Sequence, residues 1–314
     1  MDTMVDVSVI MLTYNRENLV PRAIESVLAQ TYEEFEFIII DNGSSDSSGE
    51  IAEGYAEKDS RVKVVHIPKS TIGRGRNLGL EQAKGSYITF IDDDDTADVD
   101  MVSVLHAAGV ECGADVIFCG SRKEVEGHFL PNCVFEGTKI FTPSEAVIAL
   151  LKRKWLNAAM PTKMIKRELF QKIKFKEEGK YDDISVVYKY FANADKVVGV
   201  GEEKYCFYRH PGNNSAFTAN DMLIRPEQLD EYFAAFKERT EYLSVLLPDI
   251  ADYAQYSEWS YMISMCNKII SANKTDCSMQ LNFIKSELYK YRNEFYNSPY
   301  IEEFEKKYME KYIL

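Results

Sequence analysis

Over its first 120 residues the chain alternates short apolar runs with segments of helical spacing, and this alternation limits the folds open to it. Residues 7–14 (VSVIMLTY) are rich in β-branched side chains and stop at Asn15-Arg16. Leu19, Ala23, Ile24, Val27 and Leu28 then recur at helical spacing. Residues 35–40 (FEFIII), 61–67 (RVKVVHI), 87–91 (YITFI) and 115–119 read as four further strands. Helical segments are expected up to about residue 58, around 77–83 and near 98–111. Strands and helices in this rhythm predict an α/β fold, a mostly parallel sheet with helices on both faces. Polar clusters close the first, second and fourth strands at their carboxyl ends, the edge at which open parallel sheets bind ligands. Asn15, Asp41 and the aspartates Asp92, Asp93, Asp94 and Asp95 are therefore expected to share a cleft.

Composition narrows the function. With 46% hydrophobic residues in 314, the chain is not disordered, and it is long enough for one large domain or two modest ones. Lys and Arg number 37 against 50 Asp and Glu, a net charge of -13. That balance excludes a protein that holds nucleic acid by neutralising phosphates. No apolar run approaches the roughly 18–20 residues that span a bilayer. Residues 1–6 carry two Asp and no basic residue, unlike a signal peptide. The six Cys form no CxxC pair, so reduced, buried thiols and a cytoplasmic location are expected.

From residue 121 the pattern changes. Helices are expected at 145–152, opened by Thr142-Pro143-Ser144, at 166–172, and from Asp182-Asp183 to about 192, with strands at 196–200 and 205–208. Beyond 221 no strand is expected; residues 226–246, 250–270, 279–295 and 301–312 show helical spacing. A boundary near residue 220 follows.

Three clusters carry chemistry. Consecutive Asp92, Asp93, Asp94 and Asp95 after a buried strand are unfavourable without a compensating cation. The D-x-D spacing of Asp92 and Asp94 suits a hard divalent ion that keeps positions open for phosphates, while a solvated loop in which Asp95 or Asp98 caps the next helix is the alternative. An EF-hand is excluded by the missing Gly and closing Glu. In the cluster DNGSSD, Asp41 could accept from a base or ribose; alternatively Asn42-Gly43 makes a turn and Ser44 or Ser45 caps a helix. The segment GRGRNLG (73–79) lacks both the GxGxxG and the GK[ST] spacing, which excludes a Rossmann dinucleotide site. Two Arg near a helix start could still hold a diphosphate.

Taken in order, these segments resemble the family 2 glycosyltransferases, inverting enzymes of the GT-A fold. The resemblance rests on VSVIMLTYN, AIESVLAQTY, FIIIDNGSSD, GRGRNLGL and GSYITFIDDDD, almost continuously over residues 5–120. It thins beyond that but includes TKMIKRELF, Tyr181-Asp182-Asp183-Ile184, and Tyr208-Arg209-His210 with Ser215. Departures are Asn42 for Asp, Ser45 for Thr, Gly75 for Ala (expected to loosen that helix start), Asp93 for a small residue, and Asp182 for Glu.

The resemblance implies a role for each residue. Thr13, Asn15 and Asp41 would line the nucleotide pocket, with Asp41 at the base, typically uracil; Arg76 would lie near the diphosphate or sugar. Asp92 and Asp94 would form the D-x-D, Asp94 holding Mn²⁺ or Mg²⁺, and Asp93 would join the nucleotide-sugar contacts. Asp183 would be the general base, with Asp182 and Glu178 as fallbacks, although an Asp pair opening a helix also serves as an N-cap. His210 and Ser215 are weaker candidates for the donor phosphates.

Residues 1–220 would then be the catalytic domain, with 1–120 its nucleotide-sugar half and 121–220 its acceptor side. Residues 221–314 would form a helical subdomain. The expected activity is metal-dependent, inverting transfer from a nucleoside-diphosphate sugar, UDP-sugar by preference, to a hydroxyl of a glycan or lipid-linked acceptor in bacterial surface-polysaccharide synthesis. The alternatives are a non-catalytic nucleotide-sugar or carbohydrate-binding module and a sugar-phosphate nucleotidyltransferase. The latter needs a Gly-rich basic loop after the first strand, where this chain has Tyr14-Asn15-Arg16-Glu17. The aromatic helices beyond 221 suit either peripheral docking on the inner face of the membrane or packing and homodimerisation. Glu accompanies Lys throughout them, which favours packing.

Overall fold

The computed structural model describes residues 5–153, 155–210, 212–213 and 220–314. In it the alternation becomes β1 (Val7–Thr13), α1 (Val20–Leu28), β2 (Phe35–Asp41), α2 (Ser48–Ala56), β3 (Val62–His66), α3 (Ile72–Gln82) and β4 (Tyr87–Phe90). There follow β5 (Thr96–Ala97), α4 (Met101–Cys112), β6 (Val116–Val125), β7 (His128–Cys133), β8 (Thr138–Phe141) and α5 (Pro143–Lys152). The series continues with β9 (Lys163–Lys166), α6 (Arg167–Lys172), α7 (Asp182–Ala192) and β10 (Val197–Arg209).

The sheet runs β3-β2-β1-β4-β9-β6-β10-β5, with β7 beside β6 and β8 beside β10. Its first half is parallel, as expected from the alternation: β1 pairs with β2 and β4, and β2 with β3. Its second half is mixed, because β9 lies antiparallel between β4 and β6 while β6 and β10 run parallel. β9 was not anticipated; four residues (KMIK) are too few to show a period. The two strands expected at 196–200 and 205–208 are one strand, interrupted by register shifts at Glu203.

Burial explains the order. β1 is buried along nearly its whole length, as a central strand covered on both faces must be. Val20, Ala23, Ile24 and Val27 of α1 join Val7, Val9, Met11, Phe37 and Ile39 in one core. Instead of loosening α3, Gly75 seats it: a Cβ there would lie 2.4 Å from Leu12 Cδ1 on β1. α5 opens on the expected signal, a capping box in which Glu145 N–H donates to Thr142 Oγ1 and Thr142 N–H to the Glu145 carboxylate. All six cysteines are free thiols, five of them buried.

Contacts divide the chain into two compact units, the second starting at His210, somewhat before the boundary expected near 220. That unit holds α8 (Pro226–Leu246), α9 (Ala251–Ser271), α10 (Ser278–Lys290), α11 (Arg292–Tyr296) and α12 (Glu303–Tyr312). α9 is its centre, packed by α8, α10 and α12. Much of the aromatic content is spent inside this unit: Tyr232, Phe236, Tyr253, Tyr256, Trp259 and Phe295 are buried. Tyr256 donates to the buried Glu305 at 3.0 Å. No helix among the described residues is long and apolar enough to cross a membrane.

Candidate active site

Parallel register puts Thr13 beside Asp41, each the last residue of its strand. The chain then leaves β1 through Asn15, whose φ of +52° is the left-handed region that Asn tolerates better than most residues. Asn15 Oδ1 accepts from Ser45 N–H at 2.8 Å, and Asn15 N–H donates to Ser44 Oγ at 3.1 Å. Neither serine caps α2, contrary to one of the two expectations for this turn; Asp46 accepts from Ser48 N–H in its first turn instead. Asp41 is buried and accepts from Ser44 N–H at 3.0 Å through Oδ1. Its Oδ2 lies 2.8 Å from Nδ1 of His66, the residue paired with it across β2 and β3. Burial works to raise the Asp41 pKa, but hydrogen bonds from Ser44 and His66 outweigh it and hold the carboxyl below its usual range.

The four aspartates follow β4. Asp93 accepts from Tyr14 N–H at 3.2 Å, and Arg16 lies 3.7 Å from Asp93 and 3.9 Å from Asp94. Burial, then the charge of Asp94, push Asp93 up to about 7. Asp92 is also displaced upward, by the protein mass around it and by Asp94, Asp183 and Asp93, although 39% of its side chain still meets solvent. Asp95 turns inward, accepting from Tyr205 Oη–H at 2.9 Å and Tyr208 N–H at 2.7 Å. Asp98 pairs with Arg122. The cap of α4 is Asp100, so neither Asp95 nor Asp98 plays the capping role that was the alternative to cation binding.

Among the described residues no three carboxylate, imidazole or thiolate groups converge on one metal sphere. The run still fits a hard divalent cation of which ligand oxygens complete the shell. Its donors are all carboxylate oxygens, and they stand crowded with less positive charge than they need.

Arg76 joins the two acidic clusters. Only 6% exposed, it lies over the rings of Phe90 and Phe175. Its Nη1 donates to Asp182 Oδ2 at 2.8 Å and also to Asp183 Oδ1, and its Nη2 lies 3.5 Å from Asp92 Oδ1. Burial alone would lower its pKa; Asp182, Asp183 and Asp92 hold it well above the usual value. Asn77 fastens the same helix to the approach to α7, donating to Phe175 O at 3.0 Å and accepting from Phe175 N–H at 3.1 Å. Asp182 is buried and pushed up to about 6, chiefly by burial. Asp183 beside it keeps 27% of its side chain exposed. The N-cap of α7 is Tyr181, and both carboxylates are committed to Arg76.

Two neighbours were not singled out from the sequence. Lys163 is fully buried, with Nζ donating to Ala159 O at 2.5 Å and Thr162 Oγ1 at 3.4 Å. Burial pushes it down to about 8, against the attraction of Asp183. It follows Thr162, a β-branched residue at φ +78°, which is strained backbone. His66 was legible in principle, as the residue ending β3 where Asp41 ends β2. His210 belongs to the second unit and makes a local turn, its N–H donating to Asn213 Oδ1 at 2.7 Å. Ser215 lies outside the described residues.

Comparison with known proteins assigns this sheet, with its edge of acids and arginine, to a known class of enzyme. The chain matches the glycosyl transferase family 2 description over residues 8–174 and belongs to that family. It is therefore a glycosyltransferase, with a GT-A fold. It is 31% identical over 218 residues to the glycosyltransferase GlyG of Streptococcus pneumoniae, covering 66% of this chain and 72% of that protein. It is 30% identical over 220 residues to the uncharacterized glycosyltransferase EpsJ of Bacillus subtilis, covering 66% of this chain but only 62% of that protein. Among solved structures, S. aureus TarS 1-349 in complex with UDP-GlcNAc superposes with a TM-score of 0.67 at 19% identity, over 91% of each chain.

Proposed function

We propose that this glycosyltransferase moves a sugar from a UDP-sugar to a hydroxyl of a glycan or lipid-linked acceptor, with inversion and with the help of Mn²⁺ or Mg²⁺. The observation that carries this reading is the Arg76 junction, which gathers Asp92 of the D-x-D and the Asp182-Asp183 pair around one guanidinium. Donor-side and acceptor-side chemistry are thereby held a side chain apart.

In this reading Asp41 and Thr13 receive the base and ribose, while Asp92 and Asp94 hold the cation. Such a cation, when bound, neutralises charge on the departing nucleoside diphosphate. Asp183 takes the proton of the attacking hydroxyl at Oδ2, since Arg76 engages Oδ1. Its greater exposure favours it over Asp182, whose side chain is 8% exposed. Arg76, bonded to Oδ1, fixes the direction of the Asp183 carboxylate. A buried Asp182 on the same guanidinium leaves Asp183 as the acid that can face an acceptor.

The test is release of nucleoside diphosphate across a panel of nucleotide sugars, with and without EDTA. Turnover with a UDP-sugar that stops on chelation and returns with Mn²⁺ or Mg²⁺ supports the reading; full turnover in EDTA overturns its metal part. TarS was solved with a UDP-sugar, which makes UDP-sugars the first donors to try.

A further inference from the structure

His66 is the exposed last residue of β3, outside the apolar core. It ends β3 in register with Asp41, so parallel pleating sends both side chains to the same face of the sheet. Nδ1 meets Asp41 Oδ2 at 2.8 Å, and Nε2 meets Glu53 Oε1 of α2 at 3.0 Å. Asp41 and Glu53 are the charged groups that face the ring, one from β2 and one from α2. The pair is tight on the α2 side, although half of the His66 side chain meets solvent: a Cβ on Gly49 would fall 2.7 Å from Asp41 Oδ2 and 3.1 Å from His66 Cε1. The first turn of α2 thus closes over the contact. Asp41 retains acceptor capacity, because each carboxylate oxygen has a second lone pair beyond those used by Ser44 and His66.

We propose that His66 is a positioning residue for the nucleotide base, holding the Asp41 carboxylate at the angle from which it accepts the N–H of uracil. This rests on the reading of Asp41 as the base-binding residue. Only the imidazolium can donate to both carboxylates; a neutral ring has one N–H and must turn a lone pair toward Asp41 or toward Glu53. The hydrogen bond to Asp41, and then Glu53, hold the His66 pKa above the ordinary 6.5 despite the opposing effect of burial. The grip on Asp41 is therefore full at low pH and loosens as pH rises through that raised pKa. Replacing Glu53 by an amide removes the competition, because the neutral ring can then accept from the amide and keep Nδ1–H on Asp41.

The experiment is calorimetric titration of the full chain with UDP and, separately, with pyrophosphate, each with Mn²⁺, between about pH 6 and 8.5, a window that brackets histidine titration. His66→Leu should weaken UDP about fivefold to tenfold at pH 6, the scale of a lost charge-assisted hydrogen bond, and leave pyrophosphate unchanged. His66→Asn, whose amide nitrogen stands near the position of Nδ1, should restore most of the UDP affinity. Glu53→Gln should flatten the pH dependence of the UDP-to-pyrophosphate ratio. If Asp41→Ala weakens UDP but His66→Leu does not, the proposal is wrong and the nucleotide reading stands. If Asp41→Ala binds UDP like the parent, the nucleotide reading itself fails. Equal loss of UDP and pyrophosphate in His66→Leu means general damage and also overturns the proposal.

Discussion

Arg76 Nη1 donates to Asp182 Oδ2 at 2.8 Å although the two residues are 106 positions apart. One guanidinium thus ties the first turn of α7 to the end of β4, with three carboxylates leaning on it. Arg76→Met should leave those acids uncompensated and cost about 3–5 kcal/mol, the usual penalty for breaking a buried ion pair from one side. Urea denaturation measures this. Arg76→Lys keeps the charge but not the fork, so it should fold better than Arg76→Met while still turning over poorly.

Asp183 and Asp182 share Arg76 but differ in exposure, which makes their amides separable. Asp183→Asn should lower turnover by about 10²–10⁴, the range of general-base catalysis, with UDP affinity kept. Asp182→Asn should show its larger effect on thermal stability, since its carboxylate is the buried partner. Nucleoside-diphosphate release and differential scanning calorimetry on the two variants decide between them. Turnover surviving in Asp183→Asn moves the base elsewhere.

Lys163 is a buried cation without a carboxylate in ion-pair distance among the described residues. Its displacement from 10.5 to about 8 corresponds to about 3 kcal/mol. The sign follows from linkage: with the folded pKa depressed, its contribution to stability is present above about 10.5 and is lost as pH falls through about 8. Lys163→Met should therefore stabilise the protein near neutral pH, by about 1–2 kcal/mol after the lost hydrogen bond to Ala159 O is subtracted. That advantage should shrink as pH rises between about 8 and 10.5. Slower turnover in the more stable variant would identify the lysine as one retained for activity.

Gly49 and Gly54 share α2 but not their surroundings. Gly54→Ala meets nothing within 4 Å and should gain about 0.5–1 kcal/mol from helix propensity. Gly49→Ala would press on Asp41 and His66 and should lose UDP affinity despite the same propensity gain. Thermal melts and UDP titrations on the pair separate a helix effect from a site effect. Equal behaviour of the two would mean that the contact over Asp41 is loose.

The sequence carried the parallel half of the sheet well, because β1, β2 and β4 are apolar runs that end in polar clusters, and their carboxyl ends fall on one edge. It carried the second half poorly. β7 is largely exposed and β9 only four residues long, so neither leaves a periodic trace. Polar residues near Glu203 made one bulged strand look like two. At the site, the acids were visible as residue types at strand ends. Their partners were not: the commitment of Asp182 and Asp183 to Arg76, and of Asp41 to His66, is set by tertiary register. Asp95 shows the limit clearly, since its inward turn to Tyr205 cannot be read from four identical letters.

The antiparallel insertion of β9 has a consequence for how the chain is assembled. Strands β3, β2, β1 and β4 can pair as soon as residue 90 has been made, yet the far edge of β4 has no ladder until Lys163–Lys166 arrives. Until then Ile88 and Thr89, both fully buried in the finished sheet, border an open edge that invites pairing with another chain. Closure of that edge brings in β6 and β10 together, a set of contacts of long sequence separation, which slows folding. During synthesis the parallel half of the sheet therefore waits for the segment that leads to Asp183. Conditions that delay residues 163–166 should expose the chain to aggregation before any catalytic geometry exists.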